Sequence, residues 1–116
     1  MIYNINKSNY KKIVNKIIPN NKVIIYYYSK KCPFCIMIEG LIREIKKKYK
    51  VSDKIIITVN RDNLNYLDDS MRINMVPTFI YYKKGINKKE FKKKRDYNNI
   101  INFIEKSLKW FKDLKY

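Results

Sequence analysis

Apolar positions along the chain follow two periods, and the changes between them mark out the elements. Met1 to Ile5 alternates apolar and polar residues, which predicts a short edge strand, and from Tyr10 the apolar positions Ile13, Val14, Ile17 and Ile18 fall three and four apart. That spacing predicts a helix capped by Ser8 or Asn9 and stopped by Pro19-Asn20-Asn21. Val23 to Tyr28 is β-branched and aromatic without polar alternation, as expected of a central strand covered on both faces. From Pro33 to about Tyr49, Phe34, Ile38, Leu41, Ile42 and Ile45 recur at helical spacing, and Lys46, Lys47, Lys48 and Lys50 gather where a helix dipole favours cations.

The second half repeats the alternation of strand and helix. Lys54 to Asn60 reads as a buried strand, followed by a polar helix around Leu64 to Met71. Val76 to Tyr82 is a strand opened by proline, and Lys83-Lys84-Gly85 is a turn into a last, antiparallel strand near Glu90 to Lys93. A final amphipathic helix from about Tyr97 to Leu114 shows Ile100, Ile101, Ile104, Leu108 and Phe111 on one side. The order βαβαβαββα predicts an α/β fold, a mixed central sheet flanked by helices on both faces. With no repeat, Gly/Ser linker or Pro-rich tract, residues 1–116 are expected to form one domain.

Composition narrows the functional classes. The chain is 46% hydrophobic, enough for a core without staples, and no apolar run approaches the roughly 20 residues of a membrane helix. The amino terminus lacks a signal-peptide h-region, so a cytoplasmic monomer without a membrane span is expected. Lys and Arg number 27 against 10 Asp and Glu, a net charge of +17 that could attract nucleic acid or acidic proteins. Abundant Lys, Ile, Asn and Tyr with scarce Gly and Pro also match adenine/thymine-rich coding of a viral or parasite kind, a source of charge without a selected polyanion site. Tyr81, Tyr82, Phe91 and Tyr97 interleave with lysines, but at a spacing that suits a core better than a stacking platform.

The chemistry centres on Cys32-Pro33-Phe34-Cys35, which holds both cysteines of the chain and lies between the central strand and the second helix. A helix start presents unpaired N–H groups and partial positive charge, which bias a thiol toward the nucleophilic thiolate. The loop between the cysteines is too short for a disulfide to act as a useful staple. With Cys32 as N-cap and Pro33 at N1, Phe34 keeps an N–H that can bond the Cys32 sulfur, and Lys30 and Lys31 add positive charge. Two thiols with no histidine cannot complete a tetrahedral zinc site in one chain without carboxylates or a dimer sharing a cluster across two such motifs, and neither a metal nor another cofactor is expected.

The CxxC at a helix head, Met71-Arg72-Ile73-Asn74-Met75-Val76-Pro77-Thr78-Phe79 some forty residues on and the Lys-Lys-Gly hairpin together resemble the thioredoxin superfamily across about residues 20 to 110. The resemblance implies a thioredoxin fold, Cys32 as the attacking thiol, Cys35 as the resolving thiol, and a cis Val76-Pro77 bond beside them. That bond would turn the Val76 backbone toward the site, where Val76 and Pro77 could pair with a substrate strand. Arg95 is similar to the arginine that assists the resolving thiol in disulfide-isomerase domains.

The chain also departs from that family. Its Pro-Phe dipeptide is of the glutaredoxin kind, but Lys93-Lys94-Arg95-Asp96 replaces the glycine pair with which glutaredoxins bind glutathione. Lys31 stands where thioredoxins place tryptophan, and Tyr26 where they place a buried acid. The proton of Cys35 is then left to water, to Glu39 one turn along the helix, or to the leaving group. A thiol-disulfide oxidoreductase acting on protein disulfides or dithiols, served by a reductase or oxidase, is the leading expectation. Its potential should fall between about −270 and about −180 mV. The alternative is a redox-inactive basic module for nucleic acid or an acidic partner.

Overall fold

A computed structural model describes residues 1–62, 67, 71, 73 and 75–109. At its centre lies β2 (Lys22–Tyr28), because an uninterrupted apolar strand has to be covered on both faces. It pairs in parallel with β3 (Ile55–Asn60), Val23 opposite Ile55 and Tyr28 opposite Asn60, and antiparallel with β4 (Thr78–Lys83), Tyr27 opposite Thr78. The short β1 (Ile2–Asn4) joins the outer side of β3 in parallel and β5 (Ile86–Glu90) joins β4 antiparallel, giving the order β1-β3-β2-β4-β5.

Alternate residues of β2 feed two cores. Val23, Ile25 and Tyr27 pack with Ile57, Val59 and Ile80 against Ile13 and Ile18 of the first helical segment. Ile24 and Tyr26 pack with Ile56 and Phe79 on the other face, against Ile42, Ile45, Ile100 and Ile104. Within the first core the Tyr27 hydroxyl donates to Met71 O at 2.8 Å and lies 2.9 Å from the Tyr82 hydroxyl, so both buried phenols are satisfied.

Several boundaries differ from expectation. The first helical segment comprises α1 (Tyr10–Lys12), a π-helical turn over Ile13–Ile17 and α2 (Ile18–Asn20), with Pro19 inside the last turn rather than ending it. Pro19 has no N–H for the ladder. The Ile18 N–H reaches back to Ile13 O, and the side-chain amides of Asn20 and Asn21 donate to Lys16 O and Ile17 O, both at 2.8 Å. Nor does Asn9 or Ser8 cap this segment through its side chain. Asn6 Oδ1 accepts from the N–H groups of Ser8 and Asn9, and Asn9 Oδ1 accepts from that of Asn6.

The second helix bends instead of running straight. α3 (Pro33–Met37) and α4 (Glu39–Tyr49) meet at Ile38, whose N–H still bonds Phe34 O while its carbonyl accepts from Ile42 N–H. The hydrogen-bond ladder therefore crosses the bend. Phe34, expected on the apolar stripe, is 61% exposed, and the buried stripe is Cys35, Ile42, Ile45 and Tyr49.

The return strand begins at Ile86, earlier than the expected Glu90. Lys84 and Gly85 both have positive φ, 51° and 82°, the geometry of a two-residue hairpin, so the turn uses no further residues. α5 (Tyr97–Leu108) starts at Asp96, whose carboxylate accepts from the Asn99 N–H at 2.8 Å. Its expected continuation through Phe111 to Leu114 lies outside the described residues, as does most of the helix expected at Leu64 to Met71. Among the described residues no helix is long and apolar enough to cross a membrane.

Candidate active site

β2 ends at Tyr28, and a tight loop carries the chain onto α3. Ser29, 99% buried, fixes that loop: its hydroxyl donates to Asp62 and accepts from the Lys31 N–H, and its carbonyl accepts from the Cys32 N–H. Cys32 has extended backbone, φ −87° and ψ 117°, and forms the N-cap of α3 with Pro33 at N1. The ring has no N–H where none could be satisfied inside the helix, so its place matches its chemistry.

The two thiols meet different surroundings. Cys32 is partly exposed, and its Sγ accepts from the Cys35 N–H at 3.1 Å. Desolvation is the largest influence on it and acts upward, but hydrogen bonds from the Cys35 side chain and from the Cys35 and Phe34 N–H groups, with the charge of Arg61, outweigh it. The net effect holds Cys32 below the ordinary thiol value. Cys35 is buried, and burial above all, then its bond to Cys32, pushes it up to about 11. The Ser29 N–H and the Tyr26 hydroxyl oppose that rise by bonding its sulfur.

On the far side of Cys32 lies the segment before β4. The Val76–Pro77 peptide is cis, and Val76 O is 3.7 Å from Cys32 Sγ, a weak bond while the thiol is protonated. Pro77 is buried, and its carbonyl accepts from Arg95 Nη2 at 3.1 Å. Arg95 thus braces the segment that faces Cys32, and it is not among the groups acting on Cys35, the thiol that the resemblance to isomerase domains has it assist. Phe34, Met37 and Met75, close in sequence to Cys32 and Val76, are exposed apolar residues.

Beneath Cys35 a cavity of about 420 Å³ is lined by Tyr26, Glu39, Arg43, Lys46 and Thr58, among others. Glu39, considered as a base, lines it too, but its carboxylate accepts from Arg43 at 3.2 Å on an exposed face of α4. Lys46 donates to Asn4 Oδ1 at 3.0 Å, and Thr58 bonds the same oxygen.

Four of the expected site residues, Cys32, Cys35, Val76 and Pro33, therefore meet at one point, with Phe34 and Pro77 adjoining. Lys31 is exposed, and the cation that helps hold Cys32 down is Arg61, just past β3, rather than Lys30 or Lys31. No sequence motif points to Arg61 or Ser29. The signal that could have found them is positional, since both follow the carboxyl ends of neighbouring parallel strands, where sites on such sheets gather. Of the aromatics interleaved with lysines, Tyr82 and Phe91 are buried, which leaves no stacking platform of all four. Among the described residues no cluster of three or more His, Cys, Asp or Glu side chains could hold a metal.

Comparison with known proteins bears on this arrangement. A family model described as Thioredoxin matches residues 1–106. A mutant thioredoxin from Halobacterium salinarum NRC-1 superposes with a TM-score of 0.68 at 16% identity, over 94% of this chain and 92% of that one. Human ERp44 superposes with a TM-score of 0.68 at 17% identity, over 89% of this chain and 31% of ERp44. At these identities the structural likeness speaks for the fold, an α/β thioredoxin fold with a mixed five-stranded sheet.

Proposed function

Because the chain belongs to the thioredoxin family, we propose that it is a thiol-disulfide oxidoreductase that exchanges disulfides with protein substrates through Cys32 and Cys35. The observation that carries this reading is the Cys32 sulfur seated at the head of α3, 3.1 Å from the Cys35 N–H and held below the ordinary thiol value. A thiolate at that place is the attacking species of disulfide exchange.

In the reducing direction the Cys32 thiolate attacks one sulfur of a substrate disulfide, the other sulfur leaves, and Cys32 is joined to substrate as a mixed disulfide. Cys35 then attacks Cys32, and the substrate is released as a dithiol. The same steps reversed oxidise a dithiol, with the direction set by the partner that recharges the pair. The Val76 backbone faces Cys32 and can pair with an extended substrate segment, and Arg95, on the Pro77 carbonyl, keeps that segment's dock in place. Exposed Phe34, Met37 and Met75 offer apolar contact to a partly unfolded polypeptide. All of this fits within one domain acting as a monomer.

Insulin reduction driven by dithiothreitol tests the proposal. The wild-type protein should accelerate precipitation of the insulin B chain and Cys32→Ser should not. Activity that survives Cys32→Ser would remove the assignment.

A further inference from the structure

The thioredoxin-type reading leaves the proton of Cys35 without a carboxylate to take it. The residue beneath that thiol is Tyr26, which lines the same cavity as Cys35 and whose ring stacks on Phe79 with centroids 4.5 Å apart and on Tyr28 at 5.7 Å, so that its hydroxyl is near enough to the Cys35 sulfur to act on it. Buried and stacked on two neighbouring rings, Tyr26 keeps its hydroxyl on the side of the thiol. We infer, resting on the oxidoreductase reading above, that Tyr26 is a positioning residue whose hydroxyl donates a hydrogen bond to the Cys35 sulfur as it ionises, easing release of substrate.

The hydroxyl acts as a donor and not as a base. Burial, then the neighbouring Cys35 and Cys32, push the Tyr26 phenol far above its ordinary value, so it keeps its proton at any pH at which the protein works. A donor favours the charged form of Cys35 without accepting its proton. The chemical step balances: Cys35 gives up its proton, its thiolate attacks Cys32 Sγ, the Cys32–substrate S–S bond breaks as the Cys32–Cys35 bond forms, and the substrate sulfur leaves with the electron pair and is protonated.

The proton has a route out. The 420 Å³ cavity beneath Cys35 is large enough for several water molecules and is lined by Tyr26, Thr58 and Lys46 on one side and Glu39 and Arg43 on the other. Thr58 stands opposite Tyr26 on β3, so polar groups reach from the thiol to the cavity wall. The charged and titratable groups around Cys35 are Cys32, Glu39, Arg43 and Lys46 from α3 and α4, Tyr26 and Tyr28 from β2, Lys30 from the loop and Arg61 beyond β3. None is a carboxylate bonded to Cys35, since Glu39 is engaged by Arg43.

Single-turnover reaction of the reduced protein with an aromatic disulfide separates the two thiols, because each half is released as a coloured thiolate. The first phase reports attack by Cys32 and the second reports attack by Cys35. Tyr26→Phe keeps the stacked ring and removes only the hydroxyl. Its first phase should match wild type, which also shows that it folds, while its second phase slows about tenfold near neutral pH and its pH profile moves up by about one unit. An unchanged second phase overturns the inference. Equal slowing of both phases overturns it as well, since that marks a structural role. A wild-type protein unable to reduce insulin would instead defeat the oxidoreductase reading itself.

Discussion

Cys32 and Cys35 lie three residues apart on one helical turn, yet the mouth around the first and the floor around the second are built to opposite ends. At the mouth, N–H groups, Arg61 and partial exposure favour the thiolate despite desolvation. At the floor, burial dominates and favours the thiol, softened only by the Ser29 N–H and the Tyr26 hydroxyl. The difference shows that the motif alone does not assign roles. One turn of helix presents the same side-chain type to solvent and to core, and that difference makes one sulfur the readier thiolate.

The sharpest way to break this contrast is to remove each thiol in turn. Cys32→Ser should abolish insulin reduction, whereas Cys35→Ser should still attack once and accumulate mixed disulfides visible as slower bands on non-reducing gels. Equal effects would show that the two sulfurs are interchangeable.

Adjacent tyrosines extend the contrast to the two faces of β2. Tyr26 looks onto the thiols, while Tyr27 looks into the other core, where its hydroxyl serves Met71 O and Tyr82. Tyr27→Phe leaves those groups short of a partner and should cost about 1–3 kcal/mol in urea unfolding with little change in the reactivity of Cys32. Tyr26→Phe should leave stability nearly intact and slow only the step in which Cys35 attacks.

A smaller effect is expected from the dipeptide between the cysteines. Replacing Pro33-Phe34 with Gly-Pro deletes the Phe34 N–H that bonds Cys32, and the thiolate fraction near neutrality should fall by up to about tenfold, read from alkylation rates. Arg61→Gln should have the least effect, less than about threefold and shrinking further as salt is added, because the charge acts from a partly exposed place.

The fold was largely legible because its strands are apolar without interruption and its helices carry stripes: β2 and β3 fall where the periodicity puts them, α5 starts at the expected Tyr97, and β4 begins at Thr78 rather than Val76 because Pro77 has no N–H for the ladder. β5 was misplaced for a physical reason. Its residues Ile86–Glu90 are all exposed, so nothing apolar betrays the strand, and only the positive φ of Lys84 and Gly85 fixes where it begins. The bend at Ile38 and the outward turn of Phe34 were hidden too, since a stripe of apolar residues does not say which end of a helix lies beyond the core. At the site, the CxxC at a helix head marked both cysteines, while the Val76-Pro77 segment was implied only by the resemblance to the thioredoxin superfamily. Arg61 and Ser29 escaped because their roles come from the pairing of β2 with β3, a contact between distant parts of the chain.

The pH dependence of stability follows from the same opposition. The lowered Cys32 adds stability to the reduced protein that is present above about pH 8.5 and lost as pH falls through its folded value. The raised Cys35 contributes in the other sense, with stability present below about pH 8.5 and lost as pH rises toward about 11. Comparing denaturation of the reduced wild type with Cys35→Ser across that range isolates the second contribution.

The most direct test of the account is the rate of Cys32 alkylation by iodoacetamide as a function of pH, followed by mass spectrometry in the reduced protein. The account predicts an inflection below the ordinary thiol value of about 8.5, with Cys35 unmodified over the same range. An inflection at or above that value, or alkylation of both sulfurs together, would contradict it.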